Sequence, residues 1–179
     1  MSVKGDIFEL LDKVDRSGID NLKIFLSESD FFTAPASGKF HGAYEGALAE
    51  HSLNVYRVFN TFRLKYPKLD LSHESVILCS LLHDVCKIGL YLGDNKPYRY
   101  NHDVLFRGHA KLSLERISKF LNLTDREKLI IKYHMGIYGT KNFSSHGEFS
   151  FSEYVTAISD NAVFFFHVSD MMAARLIEK

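Results

Sequence analysis

The stretch Ser80-Leu81-Leu82-His83-Asp84-Val85-Cys86-Lys87 closes an apolar run with an adjacent His-Asp pair and a lysine three residues further on. An imidazole nitrogen and a carboxylate oxygen can ligate one metal ion, and the second carboxylate oxygen can reach another. Lys87 stands about one helical turn from Asp84, so its ammonium can point into the same cleft. A His-Asp dipeptide arises by chance in many proteins, mostly on surfaces or at helix caps, so its weight comes from its surroundings. Just upstream, Val76 to Val85 is nearly all apolar. Ser72 is placed to cap that helix, and Glu74 complements the dipole of its first turn. A helix apolar on every side reads as central and buried.

Working outward, Glu45 to about Tyr66 reads as a long helix with the stripe Leu48, Val55, Val58, Phe59 and Phe62, ended by Pro67. Residues 30–43 carry Pro35, Ser37, Gly38 and Gly42 and read as a loop. Before it, residues 6–15 and a short segment from about Asp20 to Leu26 have helical spacing. After the His-Asp pair, residues 88–107 alternate glycines, Asn95 and Pro97 with Tyr91, Tyr98 and Tyr100, the pattern of a loop or small β-hairpin. A helix follows from about Gly108 to Leu121. Thr124-Asp125-Arg126-Glu127 fits a capping box opening a helix to about residue 135. Residues 136–150 read as a mobile loop, and two last helices fall near 151–159 and 161–177. The expected class is all-α: a helical bundle with a small hairpin or loop insertion near 88–107.

The chain has 179 residues and no break in composition, which points to one domain over 1–179. Its expected core is about 35–175, with the N-terminal helices 6–29 packed on it. Lys plus Arg number 22 and Asp plus Glu number 22, so no global field steers it toward nucleic acid or membrane. If Cys79 and Cys86 share a helix, they are separated by about 10 Å of rise, beyond the roughly 7 Å limit on Cα separation for a disulfide. Two free thiols fit a reducing, cytoplasmic setting. The N-terminus has no long apolar run, and no stretch is apolar enough to span a bilayer. No P-loop, dinucleotide fingerprint or paired Cys-x-x-Cys occurs.

Six residues at helix ends or on inward faces share a chemistry: His51, His83, Asp84, His109, His134 and Asp170. A lone histidine near a helix end is more often a cap or a core residue than a ligand. Asp170 is harder to explain that way. A carboxylate among Phe165, Phe166, Val168, Met171 and Met172 costs several kcal/mol if buried without a partner. One metal site accounts for all six residues. The remaining histidines carry less weight. His167 stands on nearly the same helix face as Asp170 and suits a supporting position, while His41, His73, His102 and His146 read as loop or first-turn residues. The loop tyrosines, including Tyr138, can stack on a base or simply pack the loop down.

With these residues in view, the chain resembles the HD-domain metal-dependent phosphohydrolase superfamily. That family carries a His, a His-Asp pair and a distant Asp on an all-helical domain, matched here by His51, His83-Asp84 and Asp170. Members with two metals add two histidines, whose places His109 and His134 fill. The likeness runs from about residue 35 to 175, through Leu82-His83-Asp84-x-x-Lys87, Gly108-His109, His134-Met135-Gly136 and His167-Val168-Ser169-Asp170. The Gly-Ala-Leu-Ala-Glu-His stretch at 46–51 is similar to HD domains of bacterial RNA-trimming exonucleases. There are two departures. Cys86 stands where many relatives have Gly, and Met135 stands where some have a second adjacent His, which leaves the second metal's ligand set lean.

The resemblance implies one or two divalent ions (Mn, Fe, Ni, Co, Zn or Mg). His51, His83, Asp84 and Asp170 would hold the first, and Asp84, His109 and His134 the second, with Asp84 as the bridge. It implies a metal-activated hydroxide that cleaves a phosphomonoester or phosphodiester, of a nucleotide or a nucleic-acid end. Asp84 and Lys87 then take catalytic roles, and Lys87 and Arg107 contact the substrate phosphate; a solvated loop arginine is an equal reading of Arg107. The expected partners are a small phosphorylated substrate or a nucleic-acid end, and no membrane. Two other readings share the ligand set: an HD-domain mixed-valent di-iron oxygenase, and a non-catalytic metal- or nucleotide-binding domain.

Overall fold

In a computed structural model of the chain, which describes residues 2–39, 42–93, 96–104, 108–144 and 147–178, the apolar helix lies at the centre. This helix, α4 (His73–Leu82), is capped by Ser72, whose Oγ accepts from the Ser75 N–H at 3.0 Å, and every residue from Ser75 to Leu82 is buried. A segment without a polar face must be covered on all sides. Three neighbours, α1 (Val3–Leu11), α3 (Ala47–Lys65) and α6 (Asp125–Tyr133), pack against it. The described residues also include α2 (Ile19–Glu28), α5 (His109–Ile117), α7 (Phe151–Ala157) and α8 (Asn161–Met172). A π-helical turn over Ala173–Ile177 carries α8 onward and packs on α3. The all-α class is therefore correct. The only sheet among the described residues is an antiparallel pair, β1 (Tyr91–Leu92) with β2 (Arg99–Tyr100), at the place read as a loop or hairpin.

One boundary differs in a way that matters for the site. The apolar pattern continues to Val85, but α4 stops at Leu82. His83 is its C-cap, Asp84 leaves helical geometry at φ −109°, and Val85–Lys87 form a short 3-10 turn. Cys79 and Cys86 are thus on different elements, and both are free and buried. The 136–150 segment, read as a mobile loop, is tied down in its described part. A 3-10 turn spans Gly136–Gly139, Thr140 bridges to Phe149, and Phe149 is buried against the Tyr133 ring.

The capping box opens α6 as read: Thr124 Oγ1 accepts from the Glu127 N–H at 3.2 Å, and Glu127 Oε2 accepts from the Thr124 N–H at 2.8 Å. Glu127 does more than cap. Its side chain is fully buried and takes a two-pronged contact from Arg16 (2.8 and 2.7 Å) and the Ser75 hydroxyl at 2.7 Å. One carboxylate therefore ties the segment after α1 to α4 and α6. Removing one partner of such a pair leaves an uncompensated buried charge. Arg16→Ala is expected to lower unfolding free energy by about 3–5 kcal/mol, measured by urea denaturation. A loss below about 1 kcal/mol, the range of exposed pairs, would contradict this role.

Candidate metal centre

Three histidines reach one carboxylate by the same device. His83 and His134 are the C-caps of α4 and α6. Each turns its Nδ1 back to the carbonyl three residues earlier: His83 to Ser80 O at 2.9 Å, and His134 to Ile131 O at 2.7 Å. The last carbonyls of a helix need donors, and a carbonyl can only accept. Nδ1 must therefore carry the proton, so in the neutral ring the lone pair is on Nε2. His51, in the second turn of α3, directs its Nδ1 to Glu178 Oε1 at 2.9 Å. In each case the outer partner fixes the ring and leaves Nε2 facing inward, as metal-binding histidines require.

The Nε2 atoms converge on Asp84. They lie 3.7 Å (His51) and 3.4 Å (His83) from Oδ2, and 3.7 Å (His134) from Oδ1. Asp170 on α8 approaches the same ring, with Oδ1 3.1 Å from His51 Nε2. Lys87 Nζ is 2.6 Å from Asp84 Oδ2. His109, at the start of α5, has Nδ1 3.5 Å from Cys86 Sγ. Three overlapping trios offer ligand atoms within 4.8 Å of one another: His51, His83 and Asp84; His83, His134 and Asp170; and Asp84, Cys86 and His109. All six residues singled out from the sequence meet here, together with Lys87. The trios place His134 with His83 and Asp170 and add Cys86 beside His109, while His134 Nε2 and Cys86 Sγ both face Asp84 Oδ1. Arg107 lies outside the described residues, as do His41 and His146.

The donor set fits a divalent cation. His83 Nε2 and His134 Nε2 are buried and have no hydrogen-bond partner. Buried polar atoms are rarely left so, and each points at a carboxylate oxygen. Imidazole and carboxylate together suit first-row transition ions. His51, His83 and Asp84 offer atoms for one ion, Asp170 Oδ1 lies beside them at His51 Nε2, and Asp84 has a second oxygen to share with another ion.

Four further residues support the ligands, and two of them, Glu178 and Glu148, have no local sequence signal. Glu178 orients His51 from a position 127 residues away, and its side chain is 1% exposed. Glu148 accepts from the Ala110 and Lys111 N–H groups at 2.8 Å each, so it caps the helix that begins with His109. Gly108 leaves room for that carboxylate, since a Cβ there would collide with it. His167 Nδ1 donates to His134 O at 2.7 Å, and its ring fills the space where a Cβ at Gly136 (φ +57°) would lie. His167 thus supports the backbone of a ligand rather than a ligand ring.

The charges explain what a cation must displace. Burial alone would lower the His51 pKa, but its bonds to Asp170 and Glu178 override that and raise it to about 10. Burial opposes ionisation of Asp84 too, yet the Lys87 ammonium, with the imidazoles beside it, holds its pKa well below the usual carboxylate range. In the absence of a cation, His51 therefore stands protonated between two carboxylates. A histidine whose pKa is raised on folding contributes stability that is full below its unfolded value of 6.5 and is lost as pH rises through about 10. Chelator-stripped protein should accordingly lose melting temperature between those limits. A bound cation replaces the Nε2 proton, so divalent-ion affinity should rise with pH over the same window. Thermal melts against pH, with and without Mn or Zn, check both; a stripped protein that gains stability across the window would contradict the assignment.

A family model described as HD domain matches residues 48–169. No curated protein and no solved structure matches the chain significantly. The matched span covers more than half of the chain and contains His51, His83, Asp84, His109 and His134. The ordered histidines and carboxylates, the helical body that gathers them and this match lead to one conclusion: the chain belongs to the HD domain family.

Proposed function

We propose that this protein is a metal-dependent phosphohydrolase that cleaves a phosphomonoester or phosphodiester, of a nucleotide or of a nucleic-acid end. The observation that carries the reading is the pair of unpartnered, buried nitrogens, His83 Nε2 and His134 Nε2, aimed at the two oxygens of Asp84. A structural core has no use for such atoms, and a cation site does. Bound divalent ions supply Lewis acidity to a phosphoryl oxygen and lower the pKa of water at the site.

The chain's own residues do the rest. His51, His83, Asp84 and Asp170 form one side of the cradle, and His109 and His134 extend it. Asp84 presents Oδ2 to His51 and His83 and Oδ1 to His134, so it would serve ions on both sides. Lys87 is held at Asp84 Oδ2 with its side chain only 12% exposed; burial works against its charge, but Asp84 and the neighbouring groups together raise its pKa, so the ammonium stays charged. In this reading it neutralises charge that develops on phosphoryl oxygens, the kind of interaction that strengthens in the transition state.

The test is metal analysis of protein purified without added metal, followed by a panel of phosphomonoesters and phosphodiesters with Mn, Ni, Co, Zn and Mg. Hydrolysis is expected with at least one ion. Lys87→Ala should lower kcat by roughly 10²–10³-fold, the loss seen when one transition-state donor is removed, with little change in KM. Asp84→Asn should abolish both turnover and metal retention. Dioxygen uptake by a protein carrying two irons, with no phosphate or nucleotide release, would replace this reading with an oxygenase.

A further inference from the structure

The second side of the cluster contains a thiol that the ligand set described so far does not use. Cys86 is wholly buried. Its Sγ lies 4.0 Å from Asp84 Oδ1 and 3.5 Å from His109 Nδ1. These three residues offer ligand atoms within 4.8 Å of one another. His134 Nε2, buried and without a hydrogen-bond partner, faces the same Asp84 oxygen at 3.7 Å.

The placement of this thiol is enforced by the helix that carries His109. Cys86 N–H donates to Ser113 Oγ at 3.1 Å. Arg116 Nη1 donates to Val85 O and, at 2.9 Å, to Ile88 O. His109, Ser113 and Arg116 stand at i, i+4 and i+7, on one face of α5. That face grips the 85–88 turn at its start and its end, and so holds the thiol at the imidazole. Cys79 provides a comparison within the chain. It is equally buried, but its Sγ meets the Glu127 carbonyl, at 3.9 Å, within the hydrophobic core cluster. Buried cysteines commonly serve as small apolar fillers; Cys79 fits that description, whereas Cys86 points at a carboxylate and an imidazole.

We infer that Cys86 is a thiolate ligand of a cation held on the Oδ1 side of Asp84, beside His109 and His134. It biases that side toward ions that accept sulfur, namely Zn, Co or Fe(II), over Mg. On coordination the S–H bond breaks, the sulfur keeps the electron pair, and the proton leaves to solvent. The inference rests on reading the cluster as a metal centre.

Cobalt(II) titrated into the chelator-stripped full chain tests it. The wild type and Cys79→Ser should bind two equivalents and develop a near-ultraviolet thiolate-to-cobalt charge-transfer band. Cys86→Ser should lack that band, keep the visible cobalt bands of the other side, and bind the second equivalent at least about tenfold more weakly, the least that loss of a supporting contact costs. Zinc-edge absorption of the loaded wild type needs no variant and should show sulfur at about 2.3 Å. Cobalt bound without the band, whether as one equivalent or two, or a band that survives in Cys86→Ser, overturns the inference while the metal centre stands. No cobalt bound at all, measured by equilibrium dialysis, removes the metal centre and the inference together.

Discussion

The Asp84 carboxylate is 3% exposed and ionised, and the site is arranged around that charge. A buried carboxylate without partners costs several kcal/mol, and the group would ordinarily take up a proton instead. Here it does not, because Lys87 and three imidazoles from three helices surround it. The helices are held in turn by the apolar α4, whose C-terminus delivers the His-Asp pair to the centre of the bundle. Core burial and site chemistry are therefore not separate features of this fold. The segment that must be covered on every side is the segment that ends in the ligands.

Precision comes from how each ring is anchored. His83 and His134 satisfy the last carbonyls of their own helices with Nδ1, which sets the tautomer and the direction of Nε2 in one contact. His51 achieves the same with the distant Glu178 carboxylate. The next layer is mostly backbone control. Glu148 caps the helix of His109, and His167 holds the carbonyl of His134 over a glycine that leaves it room. Ligands built on helix ends and locked by such outer contacts lose little freedom when an ion binds, which is the preorganisation a metal site needs.

Much of this was legible in the sequence, for identifiable reasons. α4 shows itself by the absence of any polar face, and α6 by a capping box whose two halves lie three residues apart. The six ligand candidates stand out because imidazole and carboxylate recur at helix ends and inward positions, where hydrocarbon is the norm. What was not legible is non-local or directional. Glu178 and Glu148 act across 127 and 37–38 residues, and no local pattern connects them to their partners. The stop of α4 at Leu82 runs against the apolar pattern that continues to Val85; it depends on His83 turning back to cap the helix. The direction of the Cys86 thiol depends on the grip of Ser113 and Arg116 from another helix, and residue type alone does not encode it. The trio of Asp84, Cys86 and His109 was illegible for the same reason: it forms because α5 brings His109 against the 85–88 turn.

Whether Asp84 organises a cation site is decided by anomalous diffraction from crystals of the protein grown with Mn or Zn, recorded at the absorption edge of that ion. Anomalous density is expected against Asp84, on the side of His51, His83 and Asp170, and with sufficient metal also on the side of His109 and His134. Anomalous peaks confined to the protein surface, with the Asp84 carboxylate bare at saturating metal, would contradict it.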